Sequence, residues 1–145
     1  MGMNTIALAI IFLNASQTFT LPPALLDSLC FVESGHNQAA VHLDDGGSNS
    51  VGVCQVKLRT ARWLGFKGTE QQLLKPKTNV YYAAKYLAYQ LRRYKNVEKA
   101  IVAYNKGNAT NLLSSKYSVK VINQWAVTRD ESKQIVSFRL PASTN

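Results

Sequence analysis

Residues 31–37 read FVESGHN. Glu33 stands between an apolar run and a polar, glycine-containing turn. A carboxyl in that position can donate a proton near neutral pH, provided an apolar wall disfavours its charged form. Leu26, Cys30 and Glu33 recur at helical spacing, so a helix through this segment sets uncharged neighbours beside the carboxyl. Gly35 offers a stop, which leaves Glu33 in the last turn. The negative end of the helix then also opposes ionisation. The bland alternative is a solvated glutamate at a frayed helix end, and one carboxylate does not decide between the two.

The other reactive side chains narrow the chemistry. His36 and His42 are six apart across a turn, with no cysteine at ligand spacing, so no metal site is expected and no cofactor is implied. They read as surface or loop-anchoring residues. Cys30 and Cys54 are the only two cysteines, the smallest number that can bridge.

Charge bounds the partner. The formal net charge is +9, spread unevenly. Residues 1–56 hold four acids and no Lys or Arg, hence −4; residues 57–145 hold all 17 bases and four acids, hence +13. A basic body around an acid-bearing segment suits a polyanionic partner, although surplus lysine also serves solubility alone. Nucleic acid is not expected, since no helix-turn-helix or base-stacking motif is present.

The elements that must position these residues are mostly helices. The chain has 145 residues, 46% apolar and 10% aromatic, enough for one domain with a real core. LPPALLDSLCFVES reads as the helix that carries Glu33. HNQAAVHLDDGGSNSVGVCQVK is a long irregular loop or small hairpin, closed by an apolar stretch that packs it down. KLRTARWLGF and TEQQLLK are two short helices broken at Gly65 and Gly68. TNVYYAAKYLAYQLRRY is the clearest helix, with Val80, Ala84, Leu87 and Leu91 in phase and Thr78 or Asn79 as its cap. NVEKAIVAYNKG and SKYSVKVINQWAV supply two more, the second aligning Tyr117, Val121 and Trp125. Residues 129–145 lose periodicity and read as a tail, with a short strand at Ile135–Leu140. At the other end, MNTIALAIIFL followed by NASQTFT has the length of a secretory apolar region, so residues 1–20 are expected to be an export signal; a first core helix is the competing reading. The domain proper then covers residues 21–128.

Three separated segments carry a family resemblance. ESGHNQAA (33–40), GVCQV (52–56) and AYN (103–105) resemble, in order, the motifs of the soluble lytic transglycosylase domain, a lysozyme-like family related to goose-type lysozyme. LKPKTNVYYAAKYLAYQLRRY and YSVKVINQW resemble the family's linking and closing helices, and DDGGSNSVGVCQ looks closest to its conjugation-system and phage-associated subset. The resemblance implies a mainly α, lysozyme-like domain with the loop or hairpin beside the catalytic helix. It implies a monomer acting on peptidoglycan glycan strands, periplasmic, secreted or carried on a virion, with secretion or conjugation machinery or a phage particle as further partners. No stable membrane anchor would remain after signal cleavage. Glu33 takes the place of the family's general acid and base, Gln55 and Tyr104 those of residues bordering the cleft. Ser50 (or Ser48) and Asn105 fall at further substrate-side positions. In this family a single Glu suffices, because the C6 hydroxyl of the muramic sugar attacks its own anomeric carbon and leaves a 1,6-anhydro ring.

Two questions stay open at this stage. Hydrolases ordinarily use two carboxylates, and Asp44 and Asp45 lie where goose-type lysozymes hold a water-activating Asp. DDGG equally has the residue types of a turn, which favours the transglycosylase. The resemblance also sets the turn bearing Cys54 against the helix bearing Cys30. A bridge there and two buried free thiols are both compatible with the sequence.

Overall fold

The apolar run at the N-terminus folds as helix α1 (Thr5–Thr18), capped by the Asn4 side chain on the Ala7 amide. Leu8, Phe12 and Ala15 are buried in the core, while Ile6, Ile10 and Leu13 on the outer face are exposed. In this computed structural model, residues 3–43, 47–109 and 115–139 are described, the side chains of 132–139 excepted.

Helix α2 (Leu25–Ser34) follows, ended by Gly35 in the left-handed region, φ 62°. Its amide closes the last turn on the Phe31 carbonyl. Leu25, Leu26, Leu29 and Cys30 are fully buried. Each leucine so buried contributes about 2 kcal/mol of transfer free energy, so α2 is anchored along its length except at the Glu33 end.

The long loop organises into a three-stranded antiparallel sheet: β1 (Val41–His42), β2 (Ser50–Val51) and β3 (Val56–Lys57). Val41 faces Val51, which faces Val56; His42 faces Ser50, which faces Lys57. Two-residue strands have no readable alternation, which is why the segment reads from sequence as a loop or a single hairpin.

Short helices α3 (Leu58–Trp63) and α4 (Glu70–Leu74) lead into the long α5 (Pro76–Tyr94). The expected cap at Thr78 or Asn79 is displaced. Pro76 opens the helix, where its missing N–H costs nothing. Asn79 lies inside it, fully buried, and works as a cross-brace. Its Nδ2 donates to Val51 O at 2.7 Å and Leu73 O at 3.0 Å, and its Oδ1 accepts from the Cys54 amide at 2.9 Å. Gly52 sits against it with φ 82°, and any Cβ there would clash with the Asn79 amide.

Helix α6 (Val97–Lys106) packs on α5, and α7 (Lys116–Arg139) packs on α2 and α6. The expected strand at Ile135–Leu140 is not formed: α7 runs unbroken through the 128/129 boundary to Arg139, and Leu140 lies outside the described residues. Weak periodicity there reflects a helix end with little apolar face, not an extended chain. Trp125 Nε1 donates to Pro23 O at 2.8 Å, fastening α7 to the entry of α2. The architecture is mainly α, with the small sheet beside the Glu33 helix.

Candidate active site

Glu33 occupies the last turn of α2, the one end of that helix not sealed by the core. Burial is the largest influence on its carboxyl and pushes it from 4.5 up to about 7. Two effects pull the other way: a hydrogen bond from Tyr117 and the proximity of His42. The Tyr117 hydroxyl, reaching in from α7, donates to Glu33 Oε1 at 2.5 Å. The two residues are 84 apart in the chain. By spacing alone Tyr117 falls on a packing stripe with Val121 and Trp125. The available signal was its type: a tyrosine heading an otherwise apolar face needs a partner for its hydroxyl once half-buried.

Glu33, Ser50, Gln55, Tyr104 and Asn105 all line one cavity of about 200 Å³. Lys57, Arg59 and Lys106 border the same cavity, and Glu33 is the one carboxylate among its described lining residues. Asp44 and Asp45 lie outside the described residues.

The loop wall is held rigidly. Cys30 and Cys54 are joined by a disulfide, Cα–Cα 4.3 Å, one turn before Glu33. Ser34 Oγ donates to Val53 O at 2.7 Å, a second tie between α2 and the loop. Tyr104 on α6 is buried, and its hydroxyl donates to Cys54 O at 2.8 Å. Burial, with Glu33 and Tyr86 nearby, raises the phenol well above its ordinary value, so it stays neutral.

Gln55 takes a left-handed backbone, φ 52°, at the turn into β3. Its amide nitrogen donates to Ala40 O at 3.1 Å and Gly52 O at 2.9 Å. Its Oε1 accepts from His42 Nδ1 at 2.5 Å. Both amide hydrogens are therefore spent on loop carbonyls, and this side chain shapes the wall more than it offers donors to a ligand. His36 anchors elsewhere: its Nε2 pairs with Asp27 Oδ1 at 2.6 Å, and that bond holds its imidazole above the ordinary value. Its ring is packed by Phe12 and Phe31. Among the described residues, no cluster of His, Cys, Asp or Glu could hold a metal ion.

A mainly helical fold with a small three-stranded sheet beside the Glu33 helix is that of a lysozyme-like domain. Residues 10–124 match the Transglycosylase SLT domain family, and the chain belongs to that family. It is similar to Protein IpgF of Shigella flexneri, 29% identical over 125 residues, covering 83% of this chain and 82% of that protein. Protein IpgF of Shigella sonnei matches to the same extent.

Proposed function

We propose that this protein is a peptidoglycan lytic transglycosylase that cleaves the MurNAc–GlcNAc β-1,4 bond. The observation that carries the reading is Glu33: a carboxyl raised to about 7, facing a cleft whose other charged residues, among those described, are cations. Its proton passes to the glycosidic oxygen as the C1–O bond breaks. The resulting carboxylate then takes the proton of the muramic C6 hydroxyl as that oxygen bonds to C1. Glu33 ends protonated, no water is consumed, and the product carries a 1,6-anhydro ring. Tyr117 supports the carboxylate half of the cycle, because its hydrogen bond favours the charged form. Ser50 and Asn105 face the strand from the sheet and from the end of α6. Lys57, Arg59 and Lys106 meet the negative charge of the polymer.

The glycan strands place the site of action outside the cytoplasm, periplasmic or secreted. Among the described residues, no helix is long and apolar enough to cross a membrane.

Mass spectrometry of the muropeptides released from purified peptidoglycan tests the reaction. Products lighter by one water than their hydrolytic counterparts are expected. Reducing ends, lost together with Asp44→Asn or Asp45→Asn, would assign a muramidase that activates water instead. Binding without cleavage would assign a non-catalytic wall-binding protein.

A further inference from the structure

Gln55, on the cleft wall, holds a conformation that needs outside support. Its backbone lies in the left-handed region, φ 52°, which disfavours any residue with a Cβ and persists only where the surroundings enforce it. Three side-chain hydrogen bonds do so. Nε2 donates to Ala40 O at 3.1 Å and to Gly52 O at 2.9 Å, both backbone atoms. The third bond goes to another side chain: Oε1 accepts from His42 Nδ1 at 2.5 Å.

That third bond fixes the state of the imidazole. Two carbonyls claim the amide hydrogens of Gln55, so its oxygen is the atom that meets His42. Nδ1 therefore carries a hydrogen whether the ring is neutral or charged, and Nε2 is the atom that gains or loses the proton. A free neutral histidine favours the opposite tautomer, with its hydrogen on Nε2. Gln55 thus selects the minor form of His42, and His42 in that form fastens Gln55.

The sheet register sets where the ring lies. His42 pairs with Ser50 and Ser50 with Lys57, so the three side chains form one cross-strand row on one face. Ser50 and Lys57 line the Glu33 cavity, which puts His42 at the rim of that same face, where it is exposed. Glu33, reaching in from α2, is near enough to feel its charge.

We propose that His42 is a positioning residue of the cleft: from β1 it locks Gln55, and with it the turn that forms the wall opposite Glu33. That turn carries Val53 O and Cys54 O, which receive Ser34 Oγ and the Tyr104 hydroxyl, so a slack Gln55 loosens both contacts beside the carboxyl. The place of His42 in catalysis rests on the glycan-cleaving reading above; its hold on Gln55 does not.

Nitrogen NMR of the full chain reads the tautomer directly, and only two histidines need assignment. At about pH 8.5, well above an ordinary imidazole, neutral His42 is expected to carry its hydrogen on Nδ1. A hydrogen on Nε2 would overturn the proposal. His42→Ala and His42→Asn then separate the bond from the ring, since the asparagine amide offers an N–H close to the place of Nδ1–H. His42→Ala should lower the thermal melt by about 2–4 °C, the scale of one hydrogen bond. It should also lower kcat on purified peptidoglycan by about tenfold with KM little changed. His42→Asn should recover most of both losses. His42→Ala behaving as wild type in both assays, or His42→Asn as impaired as His42→Ala, would equally overturn it. A wild type that cleaves nothing removes the catalytic reading alone, and the tautomer and the melts still decide whether His42 holds Gln55.

Discussion

The Tyr117 hydroxyl donates to Glu33 Oε1 at 2.5 Å, joining the last helix of the fold to the end of the second. That contact and the burial of Glu33 act in opposite directions on the same proton. Burial wins, which leaves an acid at neutral pH, while the phenol keeps the carboxylate attainable after the proton has gone.

A pH profile reads this balance. Activity that needs Glu33 protonated should fall as pH rises through about 7. Tyr117→Phe removes an effect that lowers the carboxyl, so the alkaline limb should move to higher pH while the maximal rate drops. An unmoved limb would show that Tyr117 only packs.

Stability carries the same proton with a definite sign. The unfolded carboxyl titrates at 4.5 and the folded one at about 7, so between those values the folded state holds a proton that the unfolded state releases. Stability contributed by Glu33 is intact below 4.5 and lost as pH rises through about 7, by up to about 3 kcal/mol in all. Glu33→Gln has no such loss and can still accept from Tyr117. Denaturant melts near pH 8 should show the variant more stable than wild type, and melts below the unfolded value should show the difference gone.

The wall opposite Glu33 depends on two cross-links. Reducing the Cys30–Cys54 bridge, separation 24 residues, should cost about 3 kcal/mol by the loop-entropy estimate. Asn79→Ala should cost a comparable amount, about 2–4 kcal/mol, because it strands the Val51 and Leu73 carbonyls and the Cys54 amide. Thermal melts of the oxidised, reduced and Asn79→Ala proteins check both. A change within error in either would mean the loop is held by other contacts.

Helix α1 separates two fates for the N-terminus. Its inner face, Leu8, Phe12 and Ala15, is part of the core, so removal of residues 1–20 would uncover apolar surface on α5 and α2. Leu8→Asp should then destabilise a protein that keeps α1 by roughly 3 kcal/mol or more, and N-terminal sequencing that finds residues 5–18 still attached would show a first core helix. A stable protein that starts near Leu21 would instead show processing of an export signal.

The helices were legible wherever one face alone is apolar. The Leu25–Leu29–Val32 and Val80–Ala84–Leu87–Leu91 patterns place α2 and α5 to within a few residues. The sheet was not, because two residues per strand carry no period. Asn79 misled for a physical reason: asparagine suits both a helix cap and a buried brace, and the choice depends on Val51 and Cys54, more than twenty residues away. The cleft shared by Glu33, Ser50, Gln55, Tyr104 and Asn105 followed motifs separated in the chain. Tyr117 did not, since its partner is set by how α7 lies on α2 and no local pattern encodes that.

The most direct measurement is turnover of purified peptidoglycan by Glu33→Gln beside wild type, with both proteins shown folded by their melts. Amide and acid have nearly the same shape, and only the acid has a proton to give. Wild type is expected to release anhydro-muropeptides and the variant to lose at least about three orders of magnitude in rate, the scale of a missing general acid with its base role. Release of the same products by folded Glu33→Gln at a rate near that of wild type would contradict it.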